Sequence, residues 1–377
     1  MKTKTYITDY NCVTPLGFDV HSNFDDLLND KSGIQKHRLS EHLNPFYTSV
    51  INNEVLNEKF TSVFSHQDFT RLEKMILLCL KPLVEKHEIS QQTAFILSST
   101  KGNISSLKNK NTAPESVYLS FLAKKIADFF GFKTKPVVVS NACVSGVLAI
   151  SVAKNLIASK KYKNAFVIAG DEVSEFVVSG FNSFQAMSEK PCKPYDENRN
   201  GISLGEAAAA IFVTSEISGN EDFVFEILGD SSINDANHIS GPSRTGEGLF
   251  RSVKNVMMEA NLNPEDINYI SAHGTATLYN DEMEAIAFNR AGLQKTPLNS
   301  LKGFYGHCLG ASGLLESIIA MESALQGILI KSKNFEKTGV SKEINIMKEN
   351  QKAEINTILK TASGFGGSNA AIILKKL

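Results

Sequence analysis

Two segments of the sequence share one order of strand, small-residue turn and helix, and they lie in different halves of the chain. In the first, Cys143 stands between the β-branched run at residues 137–139 and an apolar helical stretch at residues 147–157. In the second, a short strand leads through a glycine-rich turn to His307 and a helical stretch at residues 314–325. This shared plan predicts two similar halves, each with a reactive side chain at the start of a helix. Chance similarity between two such units is the alternative.

Apolar strand-like runs alternate with helix-length stretches along the whole chain. The predicted strands lie at residues 94–98, 137–140, 165–169, 208–214, 223–228, 269–272, 355–359 and 370–374. This alternation predicts an α/β fold with largely buried strands. No long linker interrupts it, so the halves are predicted to be continuous and to divide into residues 1–215 and 216–377.

The composition of the chain argues against several classes of function. Lys plus Arg total 39 and Asp plus Glu total 40, so the net charge of −1 offers no general attraction to nucleic acid or to an anionic membrane. No apolar run approaches the roughly 18 residues that span a bilayer, and the N-terminus lacks the apolar core of a secretory signal. These features predict a cytoplasmic protein without nucleic-acid or membrane partners.

The cysteines indicate a reducing compartment and include one candidate nucleophile. The chain has five, an odd and widely spaced set: Cys12, Cys79, Cys143, Cys192 and Cys308. Such a set argues against a disulfide framework. At a helix start, Cys143 would face unpaired N–H groups and the positive end of the helix dipole, which favour thiolate over thiol. The alternative is a buried structural thiol.

Two histidines occupy similar settings in the second half. His273 follows the apolar strand at residues 269–272, and His307 ends the glycine-rich turn. Each has a glycine beside it, which lets backbone and ligand approach closely. Lys302, just before His307, could supply charge to the same site. Structural histidines and a solvated lysine are the alternatives.

The glycine-rich segment GFGGSN, residues 364–369, is predicted to hold an oxyanion and not a dinucleotide. A dinucleotide fingerprint opens a helix, whereas this segment leads into the apolar strand at residues 370–374. A turn of this kind presents a backbone N–H to a developing oxyanion, and Phe365 is the predicted donor, with its ring as a lid. Gly366, next to it, is predicted to contact the substrate.

A metal site would have to use Cys143, His273, His307 and Cys308. Zinc sites usually contain a close pair such as C-x-x-C or H-x-x-x-H, and these residues form no such pair. We therefore expect no metal ion.

Several motifs follow one another in order along nearly the whole chain. They are YITDYNCVTPLG, SNACVSG, AGDE, GFNSFQAMS, YDENRNGISLGEAAAAIFV, DANHISGP, AHGTATLYNDEMEA, KGFYGHCLGASGLLE and GFGGSNAAIIL. In this order they resemble the β-ketoacyl-acyl carrier protein synthases, the chain-elongating condensing enzymes of the thiolase superfamily. The resemblance implies a thiolase-like α/β fold, with two pseudo-repeated βαβαβ halves in a five-layer α-β-α-β-α arrangement.

The resemblance also implies a role for each candidate residue. Cys143 would be the acyl-accepting nucleophile, with His273 and His307 as the two active-site histidines. The other implied site residues are Lys302 beside the histidines, the acidic residues Asp281 and Glu284, the pantetheine-channel residues Thr275 and Thr277, and the acyl-pocket and gating residues Phe181 and Phe365.

The implied reaction is a decarboxylative condensation. An acyl group moves from the phosphopantetheine thioester of an acyl carrier protein to Cys143, while the N–H groups of Cys143 and Phe365 hold the oxyanion. Malonyl-carrier protein then loses carbon dioxide, and His273 and His307 donate hydrogen bonds to the enolate that attacks the acyl-cysteine. Decarboxylation supplies the driving force, so no cofactor is expected. Relatives pair as homodimers, and a heterodimer with a ketosynthase-like subunit is the alternative assembly.

The branch of the family is implied by two positions. Histidine rather than asparagine at position 307 resembles the carrier-primed elongating branch, not the acetyl-CoA-primed initiating branch. Thiolases carry a second cysteine in the last glycine-rich loop, and residues 364–369 contain none.

Some positions depart from the family pattern. Residues 101–143 form a short polar interval where elongating synthases have a longer insert that caps the acyl tunnel. Asn141, Asn200, Leu301 and Tyr305 replace the usual residues. These departures suggest a divergent synthase, for example one that makes polyene or polyketide chains.

Two other functions compete with the elongating synthase. A non-catalytic chain-length partner shares the fold but lacks the cysteine. An acyltransferase that loads Cys143 without condensing would be favoured by loss of a histidine. This chain keeps Cys143, His273 and His307 together, which favours the synthase.

Overall fold

The computed structural model describes residues 3–38, 41, 43–65, 68–108, 114–236 and 241–377. Part of the motif DANHISGP, residues 237–240, lies outside the described residues, as does part of the polar interval, residues 109–113. The strands are β1 (Tyr6–Val13), β2 (Ile34–His37), β3 (Phe46–Ser49), β4 (Thr93–Ser98), β5 (Val137–Val139), β6 (Asn164–Asp171), β7 (Leu204–Gly205), β8 (Ala207–Thr214), β9 (Phe225–Asn234), β10 (Tyr269–Ser271), β11 (Pro297–Asn299), β12 (Ile328–Leu329), β13 (Asn345–Ile346), β14 (Gln351–Lys352), β15 (Thr357–Gly364) and β16 (Ser368–Lys376). The α-helices are α1 (Val20–Leu28), α2 (Asn53–Val63), α3 (Arg71–Lys86), α4 (Leu119–Phe130), α5 (Ser145–Ala158), α6 (Glu175–Ser183), α7 (Glu247–Ala260), α8 (Leu278–Arg290), α9 (Lys302–Tyr305) and α10 (Ser312–Gln326).

The two halves of the chain build their sheets with the same topology. The strand order is β5-β4-β6-β8-β1 in the first half and β11-β10-β15-β16-β9 in the second. In both, the second strand in this order pairs in parallel with its two neighbours, and the remaining pairings are antiparallel. Corresponding strands also occur in the same sequence order, which confirms the predicted repeat.

A short antiparallel contact joins the two sheets. β1 pairs with β9 through Tyr6 opposite Glu226 and Ile7 opposite Phe225. Eleven of the described strands therefore form one sheet, with β13 added at the edge beyond β11. The other five form two small sheets, β2-β3-β7 and β12-β14. The predicted boundary at residues 215/216 falls between β8 and β9 and stays a prediction.

Alternate residues of each half-sheet face different helical layers, as expected for strands buried on both faces. Along β8, one set of side chains packs in the central core with α5 and α10: Ala207, Ala209, Ile211 and Val213. The alternate set packs in the core beneath α3 and α4: Ala208, Ala210 and Phe212. In the second half, β16 divides in the same way between the central core and the core beneath α7 and α8. Helices and sheets therefore stack as α-β-α-β-α, which confirms the predicted five layers.

The predicted strands are present, with two shifts in their bounds. The run predicted at residues 223–228 begins at Phe225 and continues to Asn234, because β9 pairs along the length of β16. The run predicted at residues 355–359 is β15, Thr357–Gly364, for the same reason. Among the described residues, no helix is both long and apolar enough to cross a bilayer.

The two central helices, α5 and α10, meet backbone to backbone near their N-terminal ends. A Cβ placed on Gly146 of α5 would lie 2.6 Å from the backbone nitrogen of Leu314, and one on Gly313 of α10 would lie 2.8 Å from the nitrogen of Val147. Neither position has room for a side chain. Because Cys143 and His307 precede these glycines, the contact brings together the two helix starts that are predicted to be reactive.

We predict that Gly146→Ala lowers the free energy of unfolding by about 1–3 kcal/mol, since the added methyl group meets backbone that cannot shift locally. Gly180→Ala is the matched control, because Gly180 lies within α6 and a Cβ there meets no atom within 4 Å. It should be neutral or stabilising by about 0.5–1 kcal/mol. Urea denaturation followed by circular dichroism measures both; equal stability of the two variants would contradict the close contact.

Candidate active site

Cys143 lies in the tight turn between β5 and α5. Ala142 before it adopts a left-handed conformation, with φ of 44°, and Val144 after it is the N-cap of α5. The Cys143 side chain is 8% exposed. The backbone N–H of Phe365, from the loop between β15 and β16, acts on the sulfur and lowers the pKa of the thiol. The candidate nucleophile thus lies where a loop of the first half of the chain meets a loop of the second half.

Burial raises the pKa of the Cys143 thiol to about 11. Lys302 and Lys101 act in the opposite direction, and Asp171 adds to the increase. The thiol is therefore protonated at neutral pH. The expectation that the helix start alone produces a thiolate is not met in this site, because removal of the sulfur from water outweighs the favourable charges.

The two predicted histidines lie beside Cys143. His273 follows β10, and His307 lies between α9 and α10. The two ring centroids are 5.2 Å apart and the rings are nearly perpendicular, at 84°. One nitrogen of each ring and the sulfur of Cys143 lie within 4.8 Å of one another. The structure therefore brings together three residues that are far apart in the sequence.

Hydrogen bonds to Nδ1 assign the same tautomer to both histidines. Nδ1 of His307 accepts the N–H of Leu309 at 3.0 Å and lies 3.3 Å from the Ser312 hydroxyl. Nδ1 of His273 lies 3.3 Å from Nζ of Lys302. Because both Nδ1 atoms face donors, both rings carry their proton on Nε2. Each imidazole is thus prepared to donate a hydrogen bond from Nε2.

Both imidazoles are neutral. Burial lowers the pKa of His273 well below the usual histidine value, and the positive charges of Lys302 and Lys360 lower it further. The same causes act on His307. A neutral imidazole with its proton on Nε2 can donate a hydrogen bond to a negative oxygen. It needs no reorganisation at the moment of reaction.

The donor atoms of Cys143, His273 and His307 are close enough together for a metal ion to be considered. A metal-binding histidine normally donates its second N–H to an acceptor. Here Nδ1 of His273 faces an ammonium group and Nδ1 of His307 faces an N–H and a hydroxyl. These donors keep the proton of each ring on Nε2, so neither Nε2 has a lone pair for a metal ion. The three residues therefore do not fit a metal site.

Lys302 is fully enclosed in the site and is not a solvated lysine. It is 1% exposed. Its Nζ donates to Oε1 of Glu316 at 2.7 Å and to the backbone oxygen of His273 at 2.5 Å. The other carboxylate oxygen of Glu316 accepts from Lys360 at 2.6 Å. Glu316 and Lys360 were not predicted as site residues, although a charged residue inside an apolar helix or strand is a detectable signal.

Two buried carboxylates on α8 hold the loop that carries His273. Glu284 accepts the N–H groups of His273 at 2.9 Å and Gly274 at 2.6 Å. Asp281 accepts the N–H groups of Thr275 at 2.8 Å and of the residue after it. Burial raises the pKa of both carboxyl groups, and these N–H groups oppose that increase. The predicted acidic pair is therefore in contact with the loop and not with Cys143.

A cavity of about 350 Å³ leads to Cys143 from the protein surface. The predicted residues Phe181, Thr275 and Thr277 line it, and the hydroxyl oxygens of the two threonines are 2.9 Å apart. Gly366 is not among the described residues of its lining, although the residues on either side of it are. A Cβ on Gly366 would meet no atom within 4 Å. Gly366 therefore faces open space, and its φ of 83° shapes the turn.

Comparisons with known proteins agree with this geometry. The family described as "Beta-ketoacyl synthase, N-terminal domain" matches residues 3–217, and "Beta-ketoacyl synthase, C-terminal domain" matches residues 224–336. The chain belongs to the β-ketoacyl synthase family. The predicted family and enzyme class are thereby confirmed.

This β-ketoacyl synthase resembles curated bacterial enzymes over most of its length. It is 25% identical over 410 residues to 3-oxoacyl-[acyl-carrier-protein] synthase 2 of Staphylococcus aureus (strain COL), which covers 99% of this chain and 98% of that protein. It is 32% identical over 255 residues to 3-oxoacyl-[acyl-carrier-protein] synthase 2 of Rhizobium meliloti (strain 1021), over 63% of this chain and 60% of that protein.

The thiolase-like fold is confirmed by a solved structure. The structure of a ketosynthase in complex with its chain length factor from Xenorhabdus doucetiae contains a chain that matches with a TM-score of 0.87 at 22% identity. The match covers 100% of this chain and 98% of that one. At this identity the likeness concerns the fold.

Three phenylalanines cover the cavity near the histidines. The Phe365 ring lies 5.7 Å from the Phe181 ring and 5.6 Å from the Phe184 ring, measured between centroids. The Phe181 ring is 6.5 Å from the His307 ring. Phe184 was missed by sequence reasoning, although it lies one helical turn from Phe181. The predicted lid, the Phe365 ring, is thus part of a cluster of three rings that line the cavity.

Asp171, in the predicted motif AGDE, joins the two halves beside the site. Its carboxylate accepts the N–H of Thr100 at 3.0 Å and the N–H of Gly310 at 2.9 Å. Burial raises its pKa to about 6. Gly310 follows His307, so this contact ties the loop of the second half to the first sheet. Sequence reasoning did not single out this residue.

We predict that alkylation of Cys143 by iodoacetamide is slow at neutral pH and rises roughly tenfold per pH unit towards about pH 11. The sign follows because only the thiolate reacts, and the thiolate fraction rises with pH until it passes the pKa. Peptide mass spectrometry measures the rate at this residue, and Cys143→Ser is the control for background. A rate already constant between pH 7 and 8 would contradict a buried, protonated thiol.

Proposed function

We propose that this β-ketoacyl synthase lengthens an acyl chain held on Cys143 by condensing it with a malonyl group on an acyl carrier protein. One observation carries the proposal: His273 and His307 have donors at Nδ1, which leaves the proton on Nε2, and one nitrogen of each ring lies within 4.8 Å of the Cys143 sulfur. An enolate concentrates charge on one oxygen, and two fixed donors suit that oxygen. A hydrolase or simple acyltransferase would have no use for the second imidazole.

The first step is acyl exchange. The Cys143 sulfur attacks the carrier thioester, a carbon–sulfur bond forms, and the carbon–sulfur bond to the carrier arm breaks. The proton of Cys143 ends on the released thiol of that arm, so the exchange needs no net base. The N–H groups of Cys143 and Phe365 are the proposed donors to the tetrahedral oxyanion. The Phe365 N–H already lowers the pKa of the Cys143 thiol, which supports this role.

The second step joins decarboxylation to carbon–carbon bond formation. The malonyl thioester loses carbon dioxide, and the electron pair of the broken bond forms an enolate whose oxygen accepts from His273 and His307. The enolate carbon attacks the acyl carbonyl on Cys143, and the cysteine leaves as a thiolate. A proton from water restores the thiol. Carbon dioxide and a 3-oxoacyl thioester are the products.

The cavity supports a pantetheine-linked substrate. It has a polar stretch at Thr275 and Thr277 and ends at exposed side chains, Leu278 and Tyr279. A thioester arm that enters from this side places its sulfur near Cys143. We therefore propose acyl carrier protein as the partner. The relatives are named for carrier-linked synthases, which supports the proposal.

We also propose that the chain forms a homodimer through the edge of the first sheet. Among the described strands, β5 has a hydrogen-bonded neighbour on one side. Its three valines are half-buried. Tyr118 and Phe121, at the start of the neighbouring helix α4, are 60% and 40% exposed. An open strand edge beside exposed aromatics favours pairing with a second chain.

The state of the cysteines supports a reducing compartment, for which we propose the cytoplasm. All five thiols are free and buried. Disulfides are rare in that compartment because its thiols are kept reduced.

The condensation is tested with acyl- and malonyl-carrier protein, following acyl-enzyme, carbon dioxide and 3-oxoacyl product by mass spectrometry. We predict that Cys143→Ala forms neither acyl-enzyme nor condensed product. Cys143→Ala that still made the 3-oxoacyl product would exclude Cys143 as the nucleophile. Acyl-enzyme without carbon dioxide from the unmodified protein would favour the acyltransferase alternative.

We predict that His273→Ala and His307→Ala each reduce decarboxylation by roughly 10²- to 10³-fold, the usual cost of losing one donor to an oxyanion. Acylation of Cys143 should change far less, because the donors for that step are backbone N–H groups. Single-turnover measurements of the two steps make the comparison. Equal losses in both steps would count against an enolate-stabilising role.

For the assembly, we predict a dimer by light scattering after size-exclusion chromatography. Tyr118→Lys/Phe121→Lys should shift the protein towards monomer by placing charge at the proposed interface. Val55→Lys is the control, since Val55 is also exposed but lies on α2. A monomeric unmodified chain would instead favour a heterodimer with another subunit.

A further inference from the structure

Lys360 is a fully buried lysine to which the proposed reaction assigns no step. It lies on β15, opposite Ser271 of β10 in a parallel pairing. Its Nζ donates to Oε2 of Glu316 at 2.6 Å and to the backbone oxygens of Ser271 at 3.1 Å and Ala272 at 3.3 Å. An ammonium group has three N–H donors, and these contacts supply three acceptors. Lys360 is therefore held as a donor directly behind the strand end that leads to His273.

Lys302 makes a matching set of contacts from the other side of Glu316. Its three acceptors are Oε1 of Glu316 at 2.7 Å, the backbone oxygen of His273 at 2.5 Å and Nδ1 of His273 at 3.3 Å. The carboxylate is thus shared, with one oxygen for each lysine. Neither ammonium group has a donor to spare, so the contacts of one lysine constrain those of the other.

The cluster Lys302, Glu316 and Lys360 contains two positive groups and one negative group, and none of the three is more than 3% exposed. With both lysines protonated and the carboxyl ionised, it carries one excess positive charge beside the histidines. This charge acts on the imidazoles, because Lys302 and Lys360 both lower the pKa of His273 and of His307. The lysines that lower the Cys143 pKa are Lys302 and Lys101.

We propose that Lys360 is a positioning residue for the decarboxylation step and acts on His273 through Glu316 and Lys302. Because Lys360 occupies Oε2 of Glu316, Lys302 binds only Oε1 and keeps one N–H for Nδ1 of His273. That N–H holds the His273 proton on Nε2, the donor for the enolate. The inference rests on the proposed function, since it concerns that function's second step.

Removal of the Lys360 charge has a definite structural consequence. Oε2 of Glu316 would be buried without its partner, which is costly for a carboxylate. Lys302 would then be drawn onto both carboxylate oxygens and away from Nδ1 of His273. The cluster would become neutral, and His273 would be free to carry its proton on Nδ1. An imidazole in that tautomer presents a lone pair to the enolate and no longer a donor.

The test uses Lys360→Met, which keeps an unbranched side chain, one atom shorter, and removes the charge. We expect decarboxylation of malonyl-carrier protein to fall about 10- to 100-fold, while acyl transfer to Cys143 stays within about twofold. Nitrogen-15 NMR of labelled histidines should show His273 protonated on Nε2 in the unmodified protein and partly on Nδ1 in the variant. His273→Ala assigns the signal.

Lys154→Met is the matched control. Lys154 is also a buried lysine that bridges two carboxylates, those of Asp230 and Glu259, at 2.7 Å each. It lies on α5 and does not line the cavity. This variant should lose stability and keep the ratio of the two reaction steps.

A double variant that restores the net charge of the cluster separates an effect on the position of Lys302 from an effect on folding. Glu316→Gln/Lys360→Met has one positive charge, as the native cluster does, and leaves Lys302 a single oxygen acceptor on residue 316. We expect it to recover decarboxylation relative to Lys360→Met. If Lys360→Met fails to fold, the double variant alone is compared with the unmodified protein and should retain most of its decarboxylation.

Three results would overturn the proposal: an unchanged ratio of steps with His273 still protonated on Nε2, equal losses in both steps, or a double variant no better than Lys360→Met. If the unmodified protein releases no carbon dioxide from malonyl-carrier protein, the proposed function fails. The His273 tautomer then decides the Lys360 inference by itself: a shift to Nδ1 in Lys360→Met supports it, and no shift rejects it.

Discussion

The contact between the starts of α5 and α10 is the constraint on which the site depends. Gly146 and Gly313 let the two helix ends meet backbone to backbone in the central layer. Cys143 and His307 stand just before these glycines, so their distance is set by core packing and not by a mobile loop. A site placed on packed elements keeps its geometry without reorganisation. The repeat of the fold thus explains why one half supplies the thiol and the other the imidazole.

Burial then determines the charge state of the three proposed reacting groups. It raises the pKa of Cys143 and lowers those of His273 and His307, so all three are neutral at rest. Electrostatic interactions are strong in such a site because little water screens them. Lys302, Lys360 and Glu316 form a charged cluster beside the histidines, while Lys101 and Asp171 also act on Cys143. Each lysine of the cluster has a complete set of acceptors. The site therefore combines neutral donors with a fixed positive potential.

The sequence predicted those parts of the molecule that depend on local pattern. Apolar runs identified the strands, and small residues beside Cys143, His273 and His307 identified the reactive ends. The roles of Glu316 and Lys360 could not be predicted in this way, because they follow from the pairing of β10 with β15 and the position of α10. The Cys143 protonation state was missed for a related reason: a helix start is visible in the sequence, whereas the desolvation that outweighs it belongs to the packed fold.

The protonated state of Cys143 has a consequence for the order of the reaction. A resting thiolate would offset the excess positive charge of the cluster formed by Lys302, Glu316 and Lys360. A thiol, and then an acyl-cysteine, leaves that charge uncompensated. In the proposed reaction, the next anion to enter the cavity is the malonyl carboxylate, and the anion that follows it is the enolate. In the proposed reaction, the positive potential and the two Nε2–H donors therefore act on the second substrate, after the acyl group is already in place.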